Sequence, residues 1–262
     1  MNVSRSNDKS KDFTLVHYRE ILNSIKERHK VFSFKDIHQL GSSLWDFDRF
    51  VIMRHDVEFS LTSALQIAKL DYKAGIRATF FLLHTSDYNI FEKESASVVG
   101  QILDLGHDIG LHYDAALFES VGVDPIEIAS NQIILMEKFW NTKVYAMSSH
   151  MPMRSGKTFS IPGVIDVYEK QYLSDIKYIS DSTQAWREDI VSSLLDRYPK
   201  IHLLLHEYYW SNEGYDWDTL LLLEVHRKSN ELVNRATRNI RKYRQGLLMR
   251  SENDKEFKKR YM

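Results

Sequence analysis

In FVIMRHDVEFS, Phe50 to Ser60, four apolar residues of the kind that fill a buried strand run directly into Arg54, His55, Asp56 and Glu58. A charge buried without a partner is costly, so these side chains must be exposed, paired, or bound to something. The two-residue period of a strand puts Arg54, Asp56 and Glu58 on one face and His55 on the other. Arg54 can therefore pair with Asp56, while His55 reads as a structural residue facing away.

The flanking segments say what kind of strand this is. SLTSALQIAKLDYKAG follows, with apolar residues at 61, 64, 65 and 68 and Gly75 as a helix stop. IRATFFLL is the next strand, SASVVGQILDLG a helix ended by Gly106, and HDIGLHYD a short strand. DPIEIASNQIILMEKFW is a helix opened by Asp124 with Pro125 in its first position. KVYAMSSH and KYISDS are strands, REDIVSSLLDRY is helical, and IHLLLHEYYW is a last strong strand. Upstream, HYREILNSIKER from His17 is helical, and residues 1 to about 12 read as a frayed tail. Strands alternating with helices predict parallel βαβ units, whose function gathers at the carboxyl ends of the strands. Ionisable residues do follow the strand cores: Asp56 and Glu58 after FVIM, His112 after DIGL, His150 after VYAM, Asp181 after KYI and His206 after IHLLL. His107 begins its strand, at the opposite end, and reads as structural.

The bulk composition narrows the chemistry. The 262 residues are 43% hydrophobic, enough for a large core in one domain of α/β-barrel size or in two smaller ones, and a single domain spanning 1–262 is expected. That domain has its centre at about 50–210, an N-terminal helix over 15–30 and a helical tail over 226–262. A net charge of −1 makes no case for nucleic acid. There is no cysteine, which excludes disulfides and thiolate metal sites. The polar N-terminus lacks a secretory apolar region, and no apolar run reaches the roughly 18 residues of a membrane span. A soluble cytoplasmic protein is expected. After residue 226, twelve Lys and Arg face four acids, a local charge of +8. A solvated helix face is the plain reading, with an acidic partner, a phosphate-bearing substrate or peripheral membrane contact as the alternatives.

A rim of histidine and carboxylate without cysteine suits a divalent ion such as zinc, manganese, cobalt or nickel. Three protein ligands with an open position would make such a site catalytic. A carboxylate could take a proton from water and a histidine could protonate a leaving group. Hydrolysis of an amide or ester is the natural reaction class.

The ordered set RHDVEFSLTSALQIAKLDYKAGIRATFFLL, LGHDIGLHYD, SHMP, YISDS and LLLHEYYW resembles the NodB-like polysaccharide deacetylase superfamily over about residues 50 to 210. It is most similar to a divergent branch that reads RHDV[DE] where better-known members read TFDDG, a branch associated with surface-polysaccharide biosynthesis. The resemblance implies an α/β fold, a distorted (β/α) barrel of about seven parallel strands. It also implies metal-dependent removal of acetyl from an N-acetylated sugar, on a nucleotide- or lipid-linked glycan precursor. Asp56 matches the general base or first metal ligand, and Glu58 takes the other role. His112 matches the first histidine of the metal pair. The second lies one helical turn later in the family, where this chain has Ala116, and His150 is the candidate replacement. His206 matches the late general acid, which Asp181 orients. Arg54, Tyr113, Trp186, Tyr209 and Trp210 are the candidates for substrate contact. Ala116 and Glu58 also keep open a fold that binds sugar or a partner without catalysis, and a different amide or ester hydrolase is the third reading.

Overall fold

The computed structural model describes residues 12–155, 159–186, 190–191 and 195–261. The frayed tail expected over 1–12 lies almost wholly outside them, as does half of the helix expected over 187–198. The chain divides into two compact units, 1–216 and 217–262.

The first unit begins with α1 (Leu15–Arg28), β1 (Lys30–Phe32) and α2 (Phe34–Leu40). It continues through β2 (Phe50–Val57), α3 (Leu61–Lys73), β3 (Thr79–Leu83), α4 (Lys93–Asp104) and β4 (Asp108–Tyr113). After α5 (Ala115–Ser120) and α6 (Pro125–Trp140) come β5 (Ala146–Ser149), α7 (Pro152–Ser155), β6 (Ile165–Asp166) and α8 (Lys170–Leu173). The unit ends with β7 (Lys177–Ser180), α9 (Leu195–Arg197) and β8 (Lys200–His206). The second unit is one helix, α10 (Trp217–Tyr261).

The sheet runs β6-β5-β4-β3-β2-β8-β7, every neighbouring pair parallel, and curls into an open, distorted (β/α) barrel as expected. An eighth strand, β1, was not legible in the sequence. It pairs with Phe50–Ile52 of β2, while β3 takes over from Arg54 onward, so the two share one flank of β2. Punctuation falls where the residue types require. Gly75 and Gly106 adopt φ of +72° and +88°, a left-handed conformation that costs glycine little. Asp124 accepts from the Ile126 amide, with Pro125 in the first turn of α6.

Strand alternation sorts the core into two layers. Val51, Met53 and Val57, with Phe80, Leu82, Ile109, Leu111, Ile201, Leu203 and Leu205, belong to the larger apolar cluster with α1, α3, α4 and α6. Phe50, Ile52, Phe81 and Ala146 form the inner cluster with Phe34, Ile37 and Tyr172. Along β2 the inner face therefore reads Phe50, Ile52, Arg54, Asp56, from apolar floor to polar rim. Gly110 lets that floor close: a Cβ there would stand 2.4 Å from the Phe81 ring and 3.0 Å from the Ala146 carbonyl oxygen. Phe81 fills the space and gives the Arg54 guanidinium an aromatic face at 5.6 Å, with Tyr168 at 5.4 Å on another side.

Candidate active site

All these strands are parallel, so their carboxyl ends form a single rim. Asp56 and His112 lie next to last in β2 and β4, His206 ends β8, and Glu58, His150 and Asp181 lie just past β2, β5 and β7. Register fixes the spacing: Asp56 is the paired partner of His206 across β2 and β8, and His112 pairs with Ser148 across β4 and β5.

Glu58 is the centre. Its Oε1 lies 3.2 Å from His112 Nε2 and 3.8 Å from the Nε2 atoms of both His150 and His206. Burial raises the Glu58 pKa, but the hydrogen bond from His112 and the charges of the three imidazoles overcome it and hold the carboxyl down at about 2. His112 Nδ1 donates to the Ser148 carbonyl at 3.0 Å, which fixes the ring. Its Nε2 is then the exchangeable position: protonated it donates to Glu58, deprotonated it offers a lone pair to a cation. Burial pushes the His112 pKa down, yet the charge of Asp56 and the bond to Glu58 raise it above the ordinary value. His150 moves the other way, lowered by burial and by His112 beside it, against Glu58 and Asp114.

Asp56 is buried beside a full positive charge. Arg54 Nη2 stands 3.5 Å from Asp56 Oδ2, and Arg54 Nη1 donates to Ser148 Oγ at 3.1 Å, which in turn donates to Asp56 Oδ2 at 3.3 Å. Asp56 Oδ1 is buried without a hydrogen-bond partner. Burial opposes the charge on Arg54, but Asp56 outweighs it and keeps the guanidinium firmly protonated. Across the rim, His206 Nδ1 donates to Asp181 Oδ1 at 2.6 Å, and its backbone N–H reaches both Asp181 oxygens at 3.0 Å. Burial alone would lower the His206 pKa; the adjacent Asp181 carboxylate, with Glu58 and Asp56 beyond it, lifts it to about 9. His206 is thus an imidazolium at neutral pH.

The structure gives each of the remaining sequence candidates a definite place. Trp210 is buried, and its Nε1 donates to Asp181 Oδ2 at 3.3 Å, bracing the carboxylate that holds His206. Trp186 stacks on Phe13 with ring centroids 5.8 Å apart, and Tyr209 lies 5.4 Å from the His206 ring. Tyr113 is fully buried on the helix-facing side of β4, within the larger apolar cluster and against Phe159. Arg54 is likewise wholly enclosed beneath Asp56, where it serves as a counter-charge. His55 faces the outer layer, bonded at 2.8 Å to Asp71, which also accepts from Tyr18 at 2.6 Å. His107 bonds the Ala68 carbonyl and accepts from the Ala78 amide, a structural bridge at the far end of the barrel.

Glu207 is the residue that sequence reasoning missed. Its buried carboxylate accepts the backbone N–H groups of Glu58 (3.3 Å), Phe59 (2.7 Å) and Ser60 (2.7 Å), clamping the turn that carries Glu58. Burial raises its pKa to about 7 against those hydrogen bonds. The available signal was an acid directly behind the apolar LLLH run, where an unpaired charge would be costly.

The donor chemistry fits a divalent ion: one ionised carboxylate on Glu58, the imidazoles of His112 and His150, and a His112 tautomer that leaves Nε2 outward. Among the described residues, no group of three or more such side chains is already drawn together as a metal cage. Closing one around an ion therefore requires the side chains to move together.

No family model matches the chain, and no curated protein matches it. Among solved structures, it is similar to the Xyl-CE4 domain of a multidomain xylanase from the hindgut metagenome of Trinervitermes trinervoides. That match has 13% identity and a TM-score of 0.38 over 72% of this chain and 84% of that one. It is also similar to a Streptococcus mutans CE4 esterase, with 15% identity and a TM-score of 0.40 over 81% of this chain and 91% of that one.

Proposed function

We propose that this protein is a metal-dependent hydrolase that removes acetyl from an N-acetylated sugar in a surface-glycan precursor, nucleotide- or lipid-linked. The observation that carries the reading is the single carboxylate oxygen of Glu58 facing three imidazoles, with a braced acid and a base that has one unpartnered oxygen on the same rim. The motif order resembling NodB-like deacetylases supports the choice of substrate class.

Glu58, His112 and His150 would hold the ion, zinc by preference for this donor set. Bound there, it supplies Lewis-acid polarisation of the acyl carbonyl and acidifies water. Asp56 then acts as general base, with Oδ1 as its free acceptor and Arg54 beside its other oxygen. His206, charged at neutral pH and held by Asp181, donates a proton to the departing sugar nitrogen. One water and one amide become acetate and a free amine.

The test is metal content after purification without chelator, for the native chain, Asp56→Ala and His112→Ala, followed by acetate release from nucleotide-linked N-acetylhexosamines. Bound metal that is reduced in His112→Ala, together with acetate release abolished in Asp56→Ala, is the expected result. Protein that neither carries metal nor gains activity with Zn²⁺, Co²⁺ or Mn²⁺ would overturn the metalloenzyme. Metal without acetate release would overturn the substrate.

A further inference from the structure

We infer that α10 is an interfacial helix that lies on an anionic lipid surface. The inference stands on the helix alone and is independent of the chemistry at the strand ends. At about 100° per residue, Leu222, Val225, Leu232, Val233, Ile240 and Tyr243 fall within a single arc of roughly 100°. All six are exposed, by 53% to 70%. The stripe runs about 32 Å along the helix at 1.5 Å per residue. Isolated exposed leucines are ordinary, but six exposed apolar residues gathered on one arc over this length mark a surface that meets something.

Charge identifies the occupant. Near the start of the helix, Arg227 is tied to Glu224 at 2.5 Å and to Glu231 one turn further on, so acid and base cancel locally. No acid then occurs between Glu231 and Glu252, while Arg235, Arg238, Arg241, Lys242, Arg244 and Arg250 all do. The first five sit outside the apolar arc, on its borders and on the opposite face, where long side chains can extend from an apolar surface to headgroups. An apolar arc bordered by cations is the pattern of helices that lie in the headgroup plane. A second copy fits poorly: each carries +5 over residues 217–250, so any pairing adds like charge. Among the described residues no helix is long and apolar enough to cross a membrane.

The experiment is sedimentation of the full chain with vesicles of phosphatidylcholine plus phosphatidylglycerol, against phosphatidylcholine alone, at low and raised salt. At least about tenfold stronger partition onto the anionic vesicles, weakened by salt, is expected. Two variants separate the contributions, Leu232→Asp with Ile240→Asp on the stripe and Arg241→Glu with Lys242→Glu on the basic face. Both should lose binding while circular dichroism keeps its helical signal. If circular dichroism shows the stripe variant unfolded, the charge variant decides. Four results overturn the inference: no vesicle binding, equal binding to both vesicles, native-like binding by both variants, or a dimer in light scattering that Ile240→Asp dissolves. Retention on nucleic acid without vesicle binding overturns it as well.

Discussion

Glu207 shows how much of a site can rest on a residue that touches no reacting atom. Three successive amides converge on its carboxylate, and the first belongs to Glu58. Glu207→Ala leaves those donors buried without an acceptor, at a cost of about 1–3 kcal/mol for an unsatisfied group. The turn carrying Glu58 then loosens. Metal affinity is expected to fall roughly 10–100-fold, as for other outer-sphere partners of a ligand, while Glu207→Gln, which retains one oxygen acceptor, recovers part of the loss. Titration with Zn²⁺ followed by calorimetry measures both, and unchanged affinity in Glu207→Ala would refute the clamp. At this scale the sequence was readable wherever a polar residue ended an apolar run, as for Asp56, His112 and His206. It put Arg54 on the face of Asp56, able to pair with it, but did not show its full enclosure or the burial of Tyr113, because parity reports a face and not the depth along it.

At the scale of elements, β4 carries two separate constraints. Gly110 sits where Phe81 occupies all the room, and Gly110→Ala forces a ring or strand shift costing about 1–3 kcal/mol. Chemical denaturation should show a lower midpoint with an unchanged slope; a native midpoint would mean that the floor is less tightly filled. Asp108, at the foot of the same strand, is buried and accepts from Thr79 Oγ1 at 2.7 Å. Burial, only partly offset by its hydrogen bonds, raises its pKa to about 6. The folded state thus binds this proton more tightly than the unfolded chain does. Its stabilising contribution is complete below about pH 4 and is lost as pH rises through 6, on the order of 2–3 kcal/mol. Asp108→Asn should flatten stability between pH 4 and 7, and a slope identical to the native protein would contradict this assignment. The long helices and strands were legible because their periods are sustained and capped. β1 and β6, with three and two residues, are too short to display a period, and their existence depends on the neighbours they pair with.

For the molecule as a whole, an ion that binds only the folded rim must raise global stability. At a free concentration 100 times its dissociation constant, it adds about 2.7 kcal/mol. That is a melting shift of roughly 5–10 °C for a unit of this size. Thermal melts in Zn²⁺ and in chelator are expected to differ by that amount, and His112→Ala should show no difference; identical melts for the native chain would count against the ion. The parallel βαβ order was legible from alternation and the barrel only from the family resemblance, whereas the convergence of three imidazoles on Glu58 was not legible, since it depends on the curl of the sheet. The pairing of Asp56 with His206 has a final consequence. Their separation is set by the backbone ladder of two central strands rather than by the loops around the mouth. Changes in those loops can alter which molecule is admitted while the interval between the two groups stays fixed. In this framework, selectivity can diverge from one descendant of the chain to another without the chemistry being rebuilt.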